Sequence, residues 1–246
     1  NFYKYFYTII SKLDNLQSLL PILLLIYHIR RYVWMIRLFF KELFKMVRQL
    51  RSWLGPLSVF VLILVAFPLT QDIDTKFSHQ TTFSFWWIIS LLVIMLSTEK
   101  VFLEDFDDGS MEQHLLKSYN FSDYVSAKVT SSFLLIGIPL SCMSWLFLQS
   151  AVAMTNLNLV SLLSFLLSNF IFINFCFFGN AVSLKRGSLL GLLIITPLLF
   201  PVLIILGKML SAALLGLDYS NFLLLLLGCS LISGPLMLSL IHIWRC

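Results

Sequence analysis

The sequence predicts an all-α integral membrane protein in which six transmembrane helices follow an amphipathic interfacial helix. Three observations predict it. The mean hydropathy is +0.91 and 59% of the 246 residues are hydrophobic, more than a soluble core of this length requires. Continuous apolar runs recur at the length that crosses a hydrocarbon layer of ~30 Å. Lys and Arg gather beside alternate runs, as the positive-inside rule demands. Strands of a membrane barrel are excluded, because the runs are apolar at every position rather than every second one.

Taken in order, residues 1–34 contain no Met, and their one apolar run, Leu19–Tyr27, is too short to span. Basic and aromatic residues follow it where a signal peptide would carry small residues, so the segment reads as upstream read-through or an extension. Next comes "MIRLFFKELFKMVRQLRSW" (35–53). Ile36, Phe40, Leu43, Val47, Leu50 and Leu54 recur at three- and four-residue spacing, while Arg37, Lys41, Lys45, Arg48 and Arg51 occupy the other side. That pattern predicts a helix lying in the membrane interface, its basic face toward anionic head groups. The predicted spans are Trp53–Thr70, Phe83–Thr98, Val125–Gln149, Leu159–Val182, Leu189–Leu206 and Asn221–Leu240.

Ten basic residues fall on one side of these spans: the five of the interfacial helix, Lys100, Lys117, Lys128, Lys185 and Arg186. Only Lys76 and Lys208 fall opposite. The imbalance predicts both termini inside.

The connection after the second span departs from the rest. Glu99, Glu104, Asp105, Asp107, Asp108, Glu112 and Asp123 place seven of the twelve carboxylates within 25 residues. Asp107-Asp108-Gly109 is turn chemistry. Ser110 with Gln113 has the spacing of a capping box that starts a short helix, and Asn120 or Ser122, with Asp123 in the first turn, starts the third span. Paired carboxylates suggest acid–base catalysis, but a hydrated loop without an Arg clamp or metal-ligand spacing argues against an enzyme. The chain lacks a Gly-x-x-x-x-Gly-Lys-Ser/Thr phosphate loop, so any ATP hydrolysis belongs to another polypeptide.

Within the spans, Pro139, Pro197 and Pro201 remove backbone donors at depth, and the last two, four residues apart, predict a kink on one side, either hinge or fixed bend. Asn169, Asn174 and Asn180 spread over several turns and read as helix–helix contacts. His28, His79, His114 and His242 occur singly, and Cys142, Cys176, Cys229 and Cys246 form no haem-attachment or zinc spacing, so no bound metal or haem is expected.

Particular stretches carry a resemblance: "FFKELFKMVRQL" leading into "FPL" (39–69), "EKVFLEDFDDGSMEQHLL" (99–116), "AKV" (127–129), "GIPL" (137–140) and "LKRGSLLGLLIITPLLFPVLI" (184–204). With them the chain resembles the permease subunits of ABC-2 type exporters and, within these, the CcmB family of cytochrome c maturation. The resemblance covers residues 35–237. It implies that the segment 99–124 contains a coupling helix docking on an ABC ATPase subunit. Glu99, Phe102, Asp105, Asp108, Gly109, Ser110, Glu112 and Gln113 then stand where the family shares residues.

Lys185, Arg186 and Gly187 stand where the family carries the same inside-loop triplet, although a topological flank explains them as well. The resemblance further implies haem as pathway cargo and ATP acting through the partner subunit. The implied partners are a haem-handling membrane subunit and a haem chaperone, with no nucleic acid. The implied location is a bacterial cytoplasmic membrane or a mitochondrial inner membrane. An ABC-2 permease for lipid, polysaccharide or drug has the same architecture and stands as the alternative. Two departures are visible: the fourth span lacks the family's glycines, and "LLKSYNFSDY" (115–124) lacks its prolines. Residues 238–246 lie beyond the resemblance and read as the translation of a sequencing adapter with TGA decoded as Trp.

Overall fold

The computed structural model describes residues 32–69, 79–99, 101–111, 121–151, 158–184, 188–214 and 217–245. Among these, every regular element is helical. Five helices are long and apolar enough to cross a membrane, or six if the bent pair at the start counts as one span.

That pair is α1 (Tyr32–Arg48) and α2 (Leu50–Leu69), whose axes turn by 60°. Gln49 sits at the break, where its carbonyl accepts from both the backbone N–H and the hydroxyl of Ser52 (2.9 and 2.8 Å). A serine that bonds nearby backbone in this way offers an alternative to the helical ladder. The expected amphipathic helix is therefore present, with a refinement. Ile36, Phe40 and Val47 form an exposed apolar stripe, but Leu38, Glu42 and Met46 form a separate buried face at four-residue spacing against the bundle.

The second expected span is α3 (His79–Thr98), followed after Glu99 by a short α4 (Val101–Asp107). The Asp107-Asp108-Gly109 turn closes α4 as expected. Asp108 N donates to Glu104 O (3.0 Å), Gly109 N to Phe106 O (3.2 Å), and Gly109 takes φ 67°, where a Cβ is strained.

The third span begins earlier than the apolar run suggests. It comprises α5 (Phe121–Ser132), a π turn (Phe133–Gly137) and α6 (Ile138–Ala151). The run-based boundary at Val125 is corrected to Phe121, because Asp123, Lys128, Ser131 and Ser132 in α5 are buried within the bundle rather than in a loop. Pro139 follows the π turn after one residue, Ile138. Pro139 has no N–H for the carbonyl four residues back, and one residue earlier Ile138 N already donates five residues back to Phe133 O. The irregularity is thus absorbed as a π turn, as helices commonly absorb inserted strain.

α7 (Asn158–Ser183) is the central post, in contact with α3, α6, α8 (Ser188–Leu214) and α9 (Ser220–Arg245). Its three asparagines hold three different neighbours, as expected of helix–helix contacts. Asn169 Nδ2 donates to Ser141 Oγ of α6 (2.8 Å), Asn174 Nδ2 to Ser233 Oγ of α9 (3.3 Å), and Asn180 Nδ2 to Thr98 O of α3 (2.8 Å). The α7–α8 crossing is close at Gly179 and Gly191, where a Cβ on Gly191 would meet Gly179 O at 2.6 Å. The fifth span runs to Leu214 rather than Leu206, because exposed Lys208 interrupts the apolar run without ending the helix. Pro197 and Pro201 lie on the exposed side of this uninterrupted helix. The core is aromatic, with Phe60, Trp86, Phe165, Phe172 and Phe177 wholly buried.

Candidate functional site: a buried ion cluster beneath the acidic turn

The acidic connection is not uniformly hydrated. Residue 105 points inward: Asp105 is 2% exposed, although it stands in the most acidic stretch of the chain. The reading of a solvated loop is corrected at this position.

Three side chains from two other elements explain why the carboxylate is tolerated there. Lys45 of α1 bonds Asp105 Oδ1, while Lys128 and the Tyr124 hydroxyl of α5 both bond Oδ2. Glu42, one turn from Lys45 on α1, is also buried and faces the same group. Lys128 Nζ additionally donates to Val101 O (2.8 Å) and sits 5.5 Å and 5.3 Å from the ring centres of Phe102 and Tyr124. A buried charge costs several kcal/mol unless paired and hydrogen-bonded, roughly per ion, and here both requirements are met for Asp105 and Lys128.

The two α1 groups are shifted in the same direction for different reasons. Burial raises the Glu42 carboxyl above its usual value, and the nearby lysines only partly offset this. Burial alone would lower Lys45, but the hydrogen bond and charge of Asp105 outweigh it, and the ammonium titrates above its ordinary value.

Lys45 and Lys128 are therefore not free basic residues facing head groups or loop water. Both were assigned by sequence to one side's positive charge; the structure assigns them to Asp105. Beside the cluster, Gln49 Nε2 donates to Glu104 Oε2 (3.1 Å), a second tie between the α1 end and α4.

The remaining expected site residues separate into two groups. Phe102 is 1% exposed and packs edge-on against Phe177 of α7, with ring centres 5.3 Å apart. Phe102 and Asp105 thus anchor α4 inward. Glu99 and Asp108 face outward, and Gly109 and Ser110 are partly exposed, with the Ser110 hydroxyl donating back to Asp105 O (3.3 Å). Glu112, Gln113, Lys185, Arg186 and Gly187 lie outside the described residues, as do His28 and His114. Among the described residues, no three His, Cys, Asp or Glu side chains converge as metal ligands.

Sequence reasoning missed Glu42, Tyr124 and Glu104 as members of the junction. A signal existed: Tyr124 and Lys128 are four apart on a helical start, as are Leu38, Glu42 and Met46, which marks a polar position within a buried stripe.

Comparison with known proteins agrees with this architecture. The CcmB protein family matches residues 33–240. Heme exporter protein B of Pseudomonas aeruginosa is 37% identical over 172 residues, 69% of this chain and 77% of that protein. Heme exporter protein B of Haemophilus influenzae is 32% identical over 188 residues, covering 76% and 85% of the two chains. The Escherichia coli protein of the same description is 30% identical over 108 residues, 44% of this chain and 49% of its own. With its helices built to cross a bilayer and a family match over most of its length, the chain is a multi-pass membrane protein that belongs to the CcmB family.

Proposed function

We propose that this chain is the membrane permease subunit of an ABC transporter complex serving cytochrome c maturation. A separate ATPase subunit hydrolyses ATP, and the chain passes that work to haem delivery or to release of a haem-loaded chaperone. Haem is cargo here, not a resident cofactor. The complex also contains a haem-handling membrane subunit and works with a haem chaperone. Its membrane is the bacterial cytoplasmic or mitochondrial inner membrane, with both termini and α4 on the inside.

One observation supports the coupling role most directly. Asp105 joins α4 to α1 and α5 at once, while the adjoining turn at Asp108 and Gly109 is presented outward. A partner pressing on the turn therefore acts on an element tied to the interfacial helix and to the third span. The family relationship supports the haem pathway, since the relatives bear the description heme exporter protein B. The acidic rim would steer association and fix register more than supply affinity.

The test is copurification in mild detergent of the tagged full chain with a co-expressed ABC ATPase subunit of the cytochrome c maturation system. Wild type retains the ATPase, whereas Gly109→Pro and Glu112→Arg lose it; proline cannot adopt the φ of 67° found at Gly109. Equal retention by wild type and both variants, or none by wild type, removes the docking assignment.

A further inference from the structure

A groove of about 1040 Å³ opens beside the α1–α2 bend. One wall descends from Arg48 through Ser52 to Val59, and the facing wall from Glu104 through Glu99 to Leu96. Both walls pass from charged to apolar in the same direction. At the apolar end, α2 and α3 pack together and turn Leu62 (67% exposed) and Leu92 (57% exposed) outward. In a membrane-spanning pair such faces meet acyl chains. The floor is open at Gly55, where a Cβ would meet nothing within 4 Å.

The charged end holds both signs. Arg48 offers the fork that suits a phosphate. Glu99 and Glu104 offer carboxylates, which a purely anionic head group would find repulsive. The Gln49 bond takes up only part of the Glu104 acceptor capacity. Pro56, also in the groove, has no N–H for the Ser52 carbonyl, which leaves a further acceptor at mid-depth.

We propose that this groove is a binding site for an ethanolamine phospholipid. Its phosphate meets Arg48, its primary ammonium meets Glu99 and Glu104, and its glycerol and acyl chains follow Val59 and Leu96 into the bilayer. A choline head group carries the same charge but has no N–H to donate to the carboxylates, so it binds less well. A glycerol head group has no cation to place there at all. The groove shares Glu99 with the segment read as ATPase-docking, but it faces lipid between α2 and α3, and lipid retention is measured without the ATPase.

Native mass spectrometry of the purified full chain in detergent tests this, with dioleoyl phosphatidylethanolamine, phosphatidylglycerol or phosphatidylcholine added at equal concentration. Wild type retains the ethanolamine lipid over phosphatidylglycerol by roughly fivefold, the scale of one head-group charge contact, and over phosphatidylcholine through the N–H donors that choline lacks. Arg48→Ala weakens retention of all three. Glu99→Gln with Glu104→Gln abolishes the preference over phosphatidylglycerol without weakening the latter, and its unchanged melting temperature shows that the fold is kept.

Equal retention of the three lipids by wild type, or an intact preference in the double variant, overturns the proposal. So does an Arg48→Ala chain that binds lipid normally but no longer holds the ATPase, because the groove is then a protein surface. Failure of wild type to hold the ATPase bears on the proposed function alone.

Discussion

Asp105 is the residue at which sequence and structure most instructively part. Its place in an acidic run drew attention to it, and its buried partners could not be read from that run, because they lie on helices sixty residues upstream and twenty-odd downstream. Asp105→Asn removes the charge that satisfies Lys128 and leaves a buried ammonium unpaired, at an expected cost of about 3–5 kcal/mol. Adding Lys128→Met to the same chain recovers most of that loss, since an apolar side chain in place of a stranded charge is close to neutral. Thermal unfolding of the two variants in one detergent checks the order.

The α1 groups give a pH dependence of known sign. Lys45 titrates above its ordinary 10.5, so its stabilising contribution is complete below that pH and is lost as pH rises through the higher folded value. Glu42 titrates above its ordinary 4.5, so its burial becomes unfavourable as pH rises through that shifted value and stays so above it. Both groups make α1 docking weaker as pH rises, Glu42 as it ionises through its raised value and Lys45 in the alkaline range above 10.5. Amide exchange over residues 38–48 should quicken above pH 10.5 relative to exchange in α7, after correction for the intrinsic rate, and Lys45→Met should flatten that response.

At the scale of elements, apolar runs located the five helices long enough to cross, and a sixth where the bent α1–α2 pair counts as one span, because a bilayer imposes length and hydrophobicity on anything that crosses it. Their ends were harder to read. α5 starts before its apolar run because its polar residues, from Asp123 to Ser132, are satisfied inside the bundle, and no window of hydropathy registers that. The π turn was equally illegible: Pro139 announced an irregularity, but which carbonyls would shift depended on Phe133 folding over Gly137.

In the fourth span Gly179 allows close approach because Gly191 meets it from α8. Gly191→Ala forces a Cβ to 2.6 Å from the backbone oxygen of Gly179 and should cost about 1–3 kcal/mol. Gly228→Ala, with nothing within 4 Å, should change stability by less than about 1 kcal/mol. A melting comparison of the two distinguishes crossing from spacer.

For the whole molecule, the alternation of helices places the α4 turn and the α8–α9 connection at opposite ends of the bundle. In a cysteine-free background, Asp108→Cys should react with an impermeant maleimide only when the inner face is exposed, and Asp218→Cys only from the outer face. Labelling of both from one side would contradict the proposed orientation. The charge asymmetry that suggested this topology survives the reassignment of Lys45 and Lys128, since both still belong to the same end of the bundle.

The double tether of Asp105 also bears on how the chain is made. Synthesis runs from the amino terminus, so the carboxylate emerges when Lys45 is already at the membrane and Lys128 has not yet been added. The first ion pair can therefore dock α1 on a half-built protein, and the second can form only as the third span begins to insert. A nascent chain halted before residue 128 would carry a half-neutralised acid near its end.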